Sequence, residues 1–299
     1  MRNIRRWGPG LLLVSPSIIL VAVFVYGLIG WNVKVSLSDW RTAVPSSNWA
    51  GLAAYRDLRA DPAWCCGSVT NIRHIIIFTI AFIVGTLLIG LTLAFLLEKG
   101  VRGEGFFRSV YLFPMAVSFI AAGVVWRWLM NPAPGDRSTG LNVLFEKVGL
   151  GFLANQWYLG VNWGMAAMAL PAIWALSGYI MALYLAGFRG VPEELREAAR
   201  MDGASEYRVY RHVVFPHLRP ITLSALIILG HISLKVFDLI VAIGGKQLLT
   251  QTPAVYMWIL IYDARDYAKG AAIATLLLIG ISVLIVPYLI YTVRSERNA

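Results

Sequence analysis

The sequence predicts an all-α integral membrane protein with six transmembrane helices, and three observations carry that prediction. Of 299 residues, 58% are hydrophobic and 14% charged, whereas water-soluble domains run near about a quarter charged. Six stretches reach the roughly 20 apolar residues that a helix needs to cross a bilayer: Leu11–Trp31, Ile75–Leu97, Val110–Met130, Trp163–Phe188, Ile221–Ile243 and Ala268–Thr292. The net charge of +10 is distributed over the flanks of these runs and forms no basic stripe on one soluble segment. That distribution suits a membrane protein better than a nucleic-acid binder.

Arg2, Arg5 and Arg6 precede the first run in the manner of a signal peptide. The run is about twice a normal signal core and no small-residue cleavage site follows, so it reads as an uncleaved first span. Asp39 to Asn71 then carries Trp40, Trp49, Tyr55 and Trp64, aromatics of an interfacial, folded-back loop. Its adjacent Cys65 and Cys66 give neither a disulfide framework nor zinc-ligand spacing. Glu98 to Arg108, with Gly100, Gly103 and Gly105, is a short turn between the second and third spans. Arg127 near the end of the third span is placed to snorkel. Asn131 to Asn162 is rich in turn residues (Pro132, Pro134, Gly135, Gly140) and holds one amphipathic piece, Leu141–Val148. In the fourth span, Pro171 and Gly178 predict a kink or a close helix approach.

An even number of spans puts both termini on one side. With the N-terminus inside, 14 of the 26 basic residues fall in the inside segments. Those segments are the shorter ones, so their basic density is about double that outside, which favours cytoplasmic termini at 1–10 and 293–299 around a six-span transmembrane domain at 11–292.

Between the fourth and fifth spans lies a charge-dense loop, 189–220. Pro192 suits a first helical position, and Glu193 and Glu194 complement the positive end of the helix dipole. Leu195, Ala198, Ala199 and Asp202 recur at i, i+3, i+4 and i+7 and give one smooth face. Gly203 can take positive φ and stop the helix. Asp202 or Ser205 is expected to cap a second helix, which Pro216 and Pro220 are expected to end.

These residues carry a resemblance. Glu197-Ala198-Ala199, two residues, Asp202-Gly203-Ala204, then Phe215-Pro216 twelve residues after Gly203, resembles the cytoplasmic EAA loop of binding-protein-dependent ABC importer permeases. Ser38-Asp39-Trp40 with Gly51-Leu52-Ala53-Ala54-Tyr55, and Phe106-Phe107-Arg108 with Leu112-Phe113-Pro114, are similar to carbohydrate permeases of the maltose and glycerol-phosphate type. Ser233 to Ile240 followed by Thr252 to Met257 resembles the glucose/mannose or α-glucoside subset, although Gly244-Gly245-Lys246-Gln247 stands where that subset usually has Gly-Gly-Gly-Pro. The resemblance covers nearly the whole chain.

It implies a type I ABC importer permease fold in a prokaryotic inner membrane, multi-pass. The loop would be a coupling helix docking on an ATPase subunit through Glu197, Ala198, Ala199, Asp202, Gly203 and Ala204. The implied partners are a second permease in a heterodimer, two ATP-binding subunits, an extracytoplasmic sugar-binding protein and a sugar, with no nucleic acid. No cofactor is expected in this chain; ATP and Mg would be bound by the ATPase subunit.

The residues agree that this chain is not itself the ATPase: Gly244-Gly245-Lys246-Gln247 lacks the leading Gly and the Ser or Thr of a phosphate loop. His231, Lys235 and Asp238 fall at i, i+4 and i+7 of the fifth span, with Ser224 two turns before His231. Ionisable groups in a bilayer cost several kcal/mol unless paired or facing water. That face therefore either borders a translocation pathway, where a hydroxyl-rich sugar needs donors and acceptors, or holds a Lys235–Asp238 surface pair near the interface. Trp174, Ser177 and Tyr184 of the fourth span are further pathway candidates. An alternative function is a secondary active carrier for a small polar solute. Such carriers usually show inverted repeats and embedded acids; no clear repeat is present, and Asp238 is the one acid candidate. A membrane enzyme would need a nucleophile–base or metal constellation that the sequence lacks.

Overall fold

The computed structural model describes residues 13–67, 70–133 and 135–297; Arg2, Arg5, Arg6, the expected start of the first span at Leu11, and Pro134 lie outside the described residues. The helices in chain order are α1 (Leu13–Ser36), α2 (Ala53–Ala60), α3 (Asn71–Glu98), α4 (Glu104–Ala116), α5 (Phe119–Leu129), α6 (Leu141–Lys147) and α7 (Gly164–Arg189). There follow α8 (Glu193–Met201), α9 (Glu206–His217), α10 (Arg219–Leu234), α11 (Asp238–Gly244), α12 (Pro253–Tyr262) and α13 (Tyr267–Arg297). Among the described residues four helices are long and apolar enough to cross a membrane, and up to six spans result if each of two bent pairs counts as one. The chain divides into two compact units, Met1–Asp61 with Tyr256–Ile279, and Pro62–Val255 with Gly280–Ala299.

In the first unit, α1 runs past the expected end at Trp31 to Ser36, and no residue of its most apolar window is buried. Polar groups fix its far end. The Asn32 amide donates to the Ala271 carbonyl (3.2 Å) and the Thr275 hydroxyl (3.0 Å), and Ser36 shares a hydrogen bond with the Tyr55 hydroxyl at 2.8 Å. Ala54 of α2 packs with Ala268 and Ala272, and Tyr55 covers them. Trp40 lies 4.7 Å from Tyr267, ring centre to ring centre. Of the first loop's aromatics, Tyr55 and Trp40 thus anchor this unit, whereas Trp49 is exposed.

The second unit is organised by α3 and α7, which pack along their lengths with Phe78, Phe82, Met168, Ile180 and Met181 fully buried. The Thr70 hydroxyl caps α3 by accepting from the Arg73 amide at 3.2 Å. Pro171 does not interrupt α7. Gly178 provides the expected close approach: a Cβ there would sit 1.8 Å from the Tyr111 carbonyl oxygen, so α4 rests its backbone directly on α7. The expected amphipathic piece of the 131–162 segment is α6, whose Asn142 ties the segment together. Its carbonyl oxygen accepts from the Trp157 ring N–H (2.7 Å) and its amide donates to the Asn155 carbonyl (3.0 Å).

Two expected spans are broken. The third, expected unbroken over Val110–Met130, is α4 and α5 meeting at 97°. Pro114 tightens the end of α4 into a 3₁₀ turn, Val117 is extended, and the Ser118 hydroxyl accepts from the Ala121 amide (3.2 Å) to start a new helix. The fifth, expected over Ile221–Ile243, stops at Leu234 and resumes at Asp238. The gap contains neither Gly nor Pro. Side chains from elsewhere in the unit meet it instead: Thr79 of α3 donates to the Ser233 hydroxyl (3.0 Å), and Thr252, just before α12, donates to the Val236 carbonyl (3.3 Å). Backbone released from a helix at such a place needs partners of this kind.

Candidate functional site

The loop between α7 and α10 is built as a rigid corner. α8 begins at Glu193, with Pro192 one position earlier than expected, as an extended N-cap residue (φ −56°, ψ 133°). Glu193 and Glu194 occupy the first turn, where their charge opposes the dipole. At the other end Gly203 takes φ +79°. Its amide donates to the Arg200 carbonyl (3.0 Å), and the Ala204 amide donates to the Ala199 carbonyl (3.0 Å). Two such bonds around a left-handed residue are a regular closure of a helix C-terminus.

The observed geometry corrects the expected caps and the expected stops. The Asp202 side chain takes no part in it, and Ser205, although its backbone is extended as an N-cap requires, makes no side-chain capping bond. Arg200 instead joins the two helices, 3.0 Å from Glu193 of α8 and 2.8 Å from Glu206 of α9. The hydrogen bond from Arg200 holds the Glu206 carboxyl below the ordinary range. Pro216 does not stop α9, because a π turn at Tyr210–Val214 precedes it and places it in the first turn of a fresh helical segment. Pro220 likewise sits at the start of α10, where a missing N–H costs nothing. The two helices bend by 57° across this junction.

The corner presents an exposed face. Glu197, Ala198 and Asp202 are exposed, with Ala199 and Ala204 half-buried beside them. Leu195, Met201 and Tyr207 add apolar surface, Met201 at 88% exposure and Tyr207 at 70%. Arg196 is the buried residue of α8. Its guanidinium lies 2.7 Å from the Glu98 carboxylate at the end of α3 and donates to the Phe188 carbonyl near the end of α7 at 2.7 Å. The Tyr210 hydroxyl of α9 donates to the same carboxylate at 2.8 Å.

A second feature is a cavity of about 250 Å³ in the same unit, lined by Phe78, Phe82, Phe119, His231, Lys235 and Asp238 among others. The three ionisable residues do converge, but not along one helical face, because α10 ends at Leu234. His231 projects from α10, Lys235 caps it, and Asp238 opens α11. Ser224 is not with them. It bonds to the Tyr288 hydroxyl (2.9 Å) and lines a different groove with Gly187 and His217. Tyr184 is buried and donates to Thr222 (3.0 Å), and Ser177 is buried with its hydroxyl turned to the Trp174 carbonyl (3.5 Å). Trp174 leans on Trp126, ring centres 6.2 Å apart. These fourth-span residues pack helices together and do not line the cavity.

Residues 86–297 match the family model described as binding-protein-dependent transport system inner membrane component. The chain belongs to this family. It is 40% identical over 96% of its length to a probable ABC transporter permease protein of Pyrococcus horikoshii, covering 97% of that protein. It is 32% identical over 93% of its length to the xylose/arabinose import permease protein of Haloferax volcanii, covering 86% of it. Its fold is similar to a chain in the crystal structure of a bacterial ABC transporter involved in the import of the acidic polysaccharide alginate. There the TM-score is 0.75 and the identity 18%, with 99% of this chain and 98% of that one covered.

For this permease, sequence reasoning found the exposed corner and missed what holds it. Glu98 was placed in a short turn and Arg196 passed over. One signal was available: Glu98 directly follows an apolar run, and an acid at such a place calls for a partner.

Proposed function

We propose that this permease is the membrane-spanning subunit of an ATP-driven importer that forms the pathway for a sugar delivered by an extracytoplasmic binding protein. The observation that carries the reading is the exposed corner at Glu197–Ala204, rigid in its backbone and uncovered on its outer face. A surface of this kind suits docking on another subunit. In this reading the docked partner is an ATP-hydrolysing subunit that binds ATP and Mg²⁺ itself, present in two copies, and a second permease completes the pathway. Import permeases for xylose/arabinose among the relatives support a sugar as cargo. The cavity offers what a sugar needs, phenyl rings for its C–H faces and three hydrogen-bonding groups for its hydroxyls.

Both termini and the corner are assigned to the cytoplasmic side, and the 131–162 segment to the opposite side. A single cysteine at Ser138, in a background with Cys65 and Cys66 replaced by Ser, should react with a membrane-impermeant maleimide from outside. One at Ser205 should not, and the reverse labelling would sink the orientation. The partnership is tested by tagging this chain in cells that also express its transporter partners. An ATP-hydrolysing subunit should co-purify, and sugar-loaded binding protein should stimulate its hydrolysis. A lone chain that moves solute on an ion gradient would establish a secondary carrier in its place.

A further inference from the structure

Resting on the importer reading, we infer that Arg196 and Glu98 form an ionic latch that joins the coupling helix α8 to the pathway cavity through α3 and α7. Three elements meet at the latch. Glu98 is the last residue of α3, Phe188 the penultimate residue of α7, and Arg196 the buried residue of α8. The Arg196 guanidinium reaches the first by an ion pair and the second by a carbonyl hydrogen bond, each at 2.7 Å. Both charged side chains are nearly enclosed, Arg196 at 11% exposure and Glu98 at 8%. An ion pair removed from water to that degree is held firmly, since parting it strands two buried charges.

The same two helices line the cavity at a matching distance. Phe82 on α3 stands 16 residues from Glu98, and Ala172 on α7 stands 16 residues from Phe188. At 1.5 Å per residue each stretch is a helical rod of about 24 Å. A displacement of α8 therefore reaches the cavity wall along two packed rods at once, with Arg196 as the α8 side chain that grips both and Tyr210 of α9 packed beside it against Glu98 and Phe188. Arg196 and Glu98 are positioning residues: they touch no sugar and no nucleotide. The exposed face of α8 supplies the docking surface, and the latch supplies the transmission.

The test uses the complete reconstituted transporter with its binding protein. Glu98→Gln and Arg196→Gln each break the pair. The ratio of sugar-stimulated to unstimulated ATP hydrolysis is measured, with the amount of ATPase subunit retained on the complex. Each single variant should lower the ratio by about tenfold with the ATPase subunit still bound. The double variant should be no worse than either single, because both remove one interaction, and Arg196→Lys should recover most of the ratio. Unchanged ratios in both single variants, losses that multiply in the double, or loss of the ATPase subunit from the variants would overturn the latch. Absence of any stimulation in the unmodified complex would bring down the importer reading itself, and the latch with it.

Discussion

The 193–217 corner and the 231–238 segment both interrupt helices, yet they do so by opposite means. In the corner the interruption is written in the local chain: Gly203 at φ +79° and two backbone bonds close α8, and Arg200 fastens α9 to it within six residues. At 231–238 the local chain gives no such instruction. There the side chains that meet the interruption come from Thr79 and Thr252, remote in sequence, which donate to the Ser233 hydroxyl and the Val236 carbonyl. A water-facing break can take its form from its own residues because solvent completes the unmet backbone bonds. A break inside an apolar bundle must have every freed group met by protein, so its partners sit on neighbouring segments. The corner is therefore rigid by itself, while the cavity segment keeps its shape only as long as its neighbours do.

The largest effect that sharpens this contrast is expected at Gly203. A Cβ there would meet nothing within 4 Å, so any penalty comes from the backbone alone. A β-branched residue held at this φ is strained by about 1–2 kcal/mol, which relaxes if the corner opens. Gly203→Val should leave membrane insertion normal while uptake and sugar-stimulated hydrolysis fall together by about tenfold, the factor that roughly 1.4 kcal/mol represents. Gly203→Asn, a residue that tolerates the left-handed region, should retain most activity. Full activity in Gly203→Val would mean that the corner is only a surface turn.

A smaller effect is expected in the cavity. His231→Leu, Lys235→Leu and Asp238→Leu each remove one hydrogen-bonding group from the wall. A net hydrogen bond is worth about 1 kcal/mol, so each variant should shift the KM for uptake by roughly fivefold with the complex intact. If the KM stays put in all three, the residues serve the helix break and not the cargo. The companion changes Ser177→Ala and Tyr184→Phe should leave KM unchanged, since neither lines the cavity.

How far the sequence spoke for the structure follows the same division. Apolar length was legible, so α1, α3, α7 and α13 lie where hydropathy put them. Gly178 and Gly203 were legible because only a missing side chain allows what the backbone does there. The 97° turn between α4 and α5 was signalled by Pro114 and Ser118, but the apolar run on either side concealed it. The end of α10 at Leu234 had no local signal at all. The helical face of His231, Lys235 and Asp238 was inferred from a periodicity that the chain abandons midway; they converge instead on one cavity that Phe78, Phe82 and Phe119 also line. Arg196 stayed hidden for a related reason. Its partner Glu98 is 98 positions away, and nothing in an amphipathic pattern distinguishes an arginine that pairs with solvent from one that pairs with a distant helix end.

The smallest expected effect is the most discriminating about how the corner is held. Residue pattern alone makes Asp202 a candidate cap for α9, and loss of a working cap costs about 0.5–2 kcal/mol. In the folded chain, however, the bonds that close α8 and open α9 run through the backbone of Ala199, Arg200, Gly203 and Ala204 and through the Arg200 side chain. The Asp202 carboxylate stands outside that set, exposed on the outer face of the corner. Asp202→Ala should therefore change the thermal stability of the complex by less than about 0.5 kcal/mol, the range of an ordinary surface substitution. Any loss of uptake in that variant should appear together with weaker retention of the ATPase subunit, because what was removed is a contact and not a cap. A clear drop in melting temperature with docking intact would show that Asp202 fixes the corner after all, and would shift the origin of its rigidity from the backbone closure at Gly203 to the side chain before it.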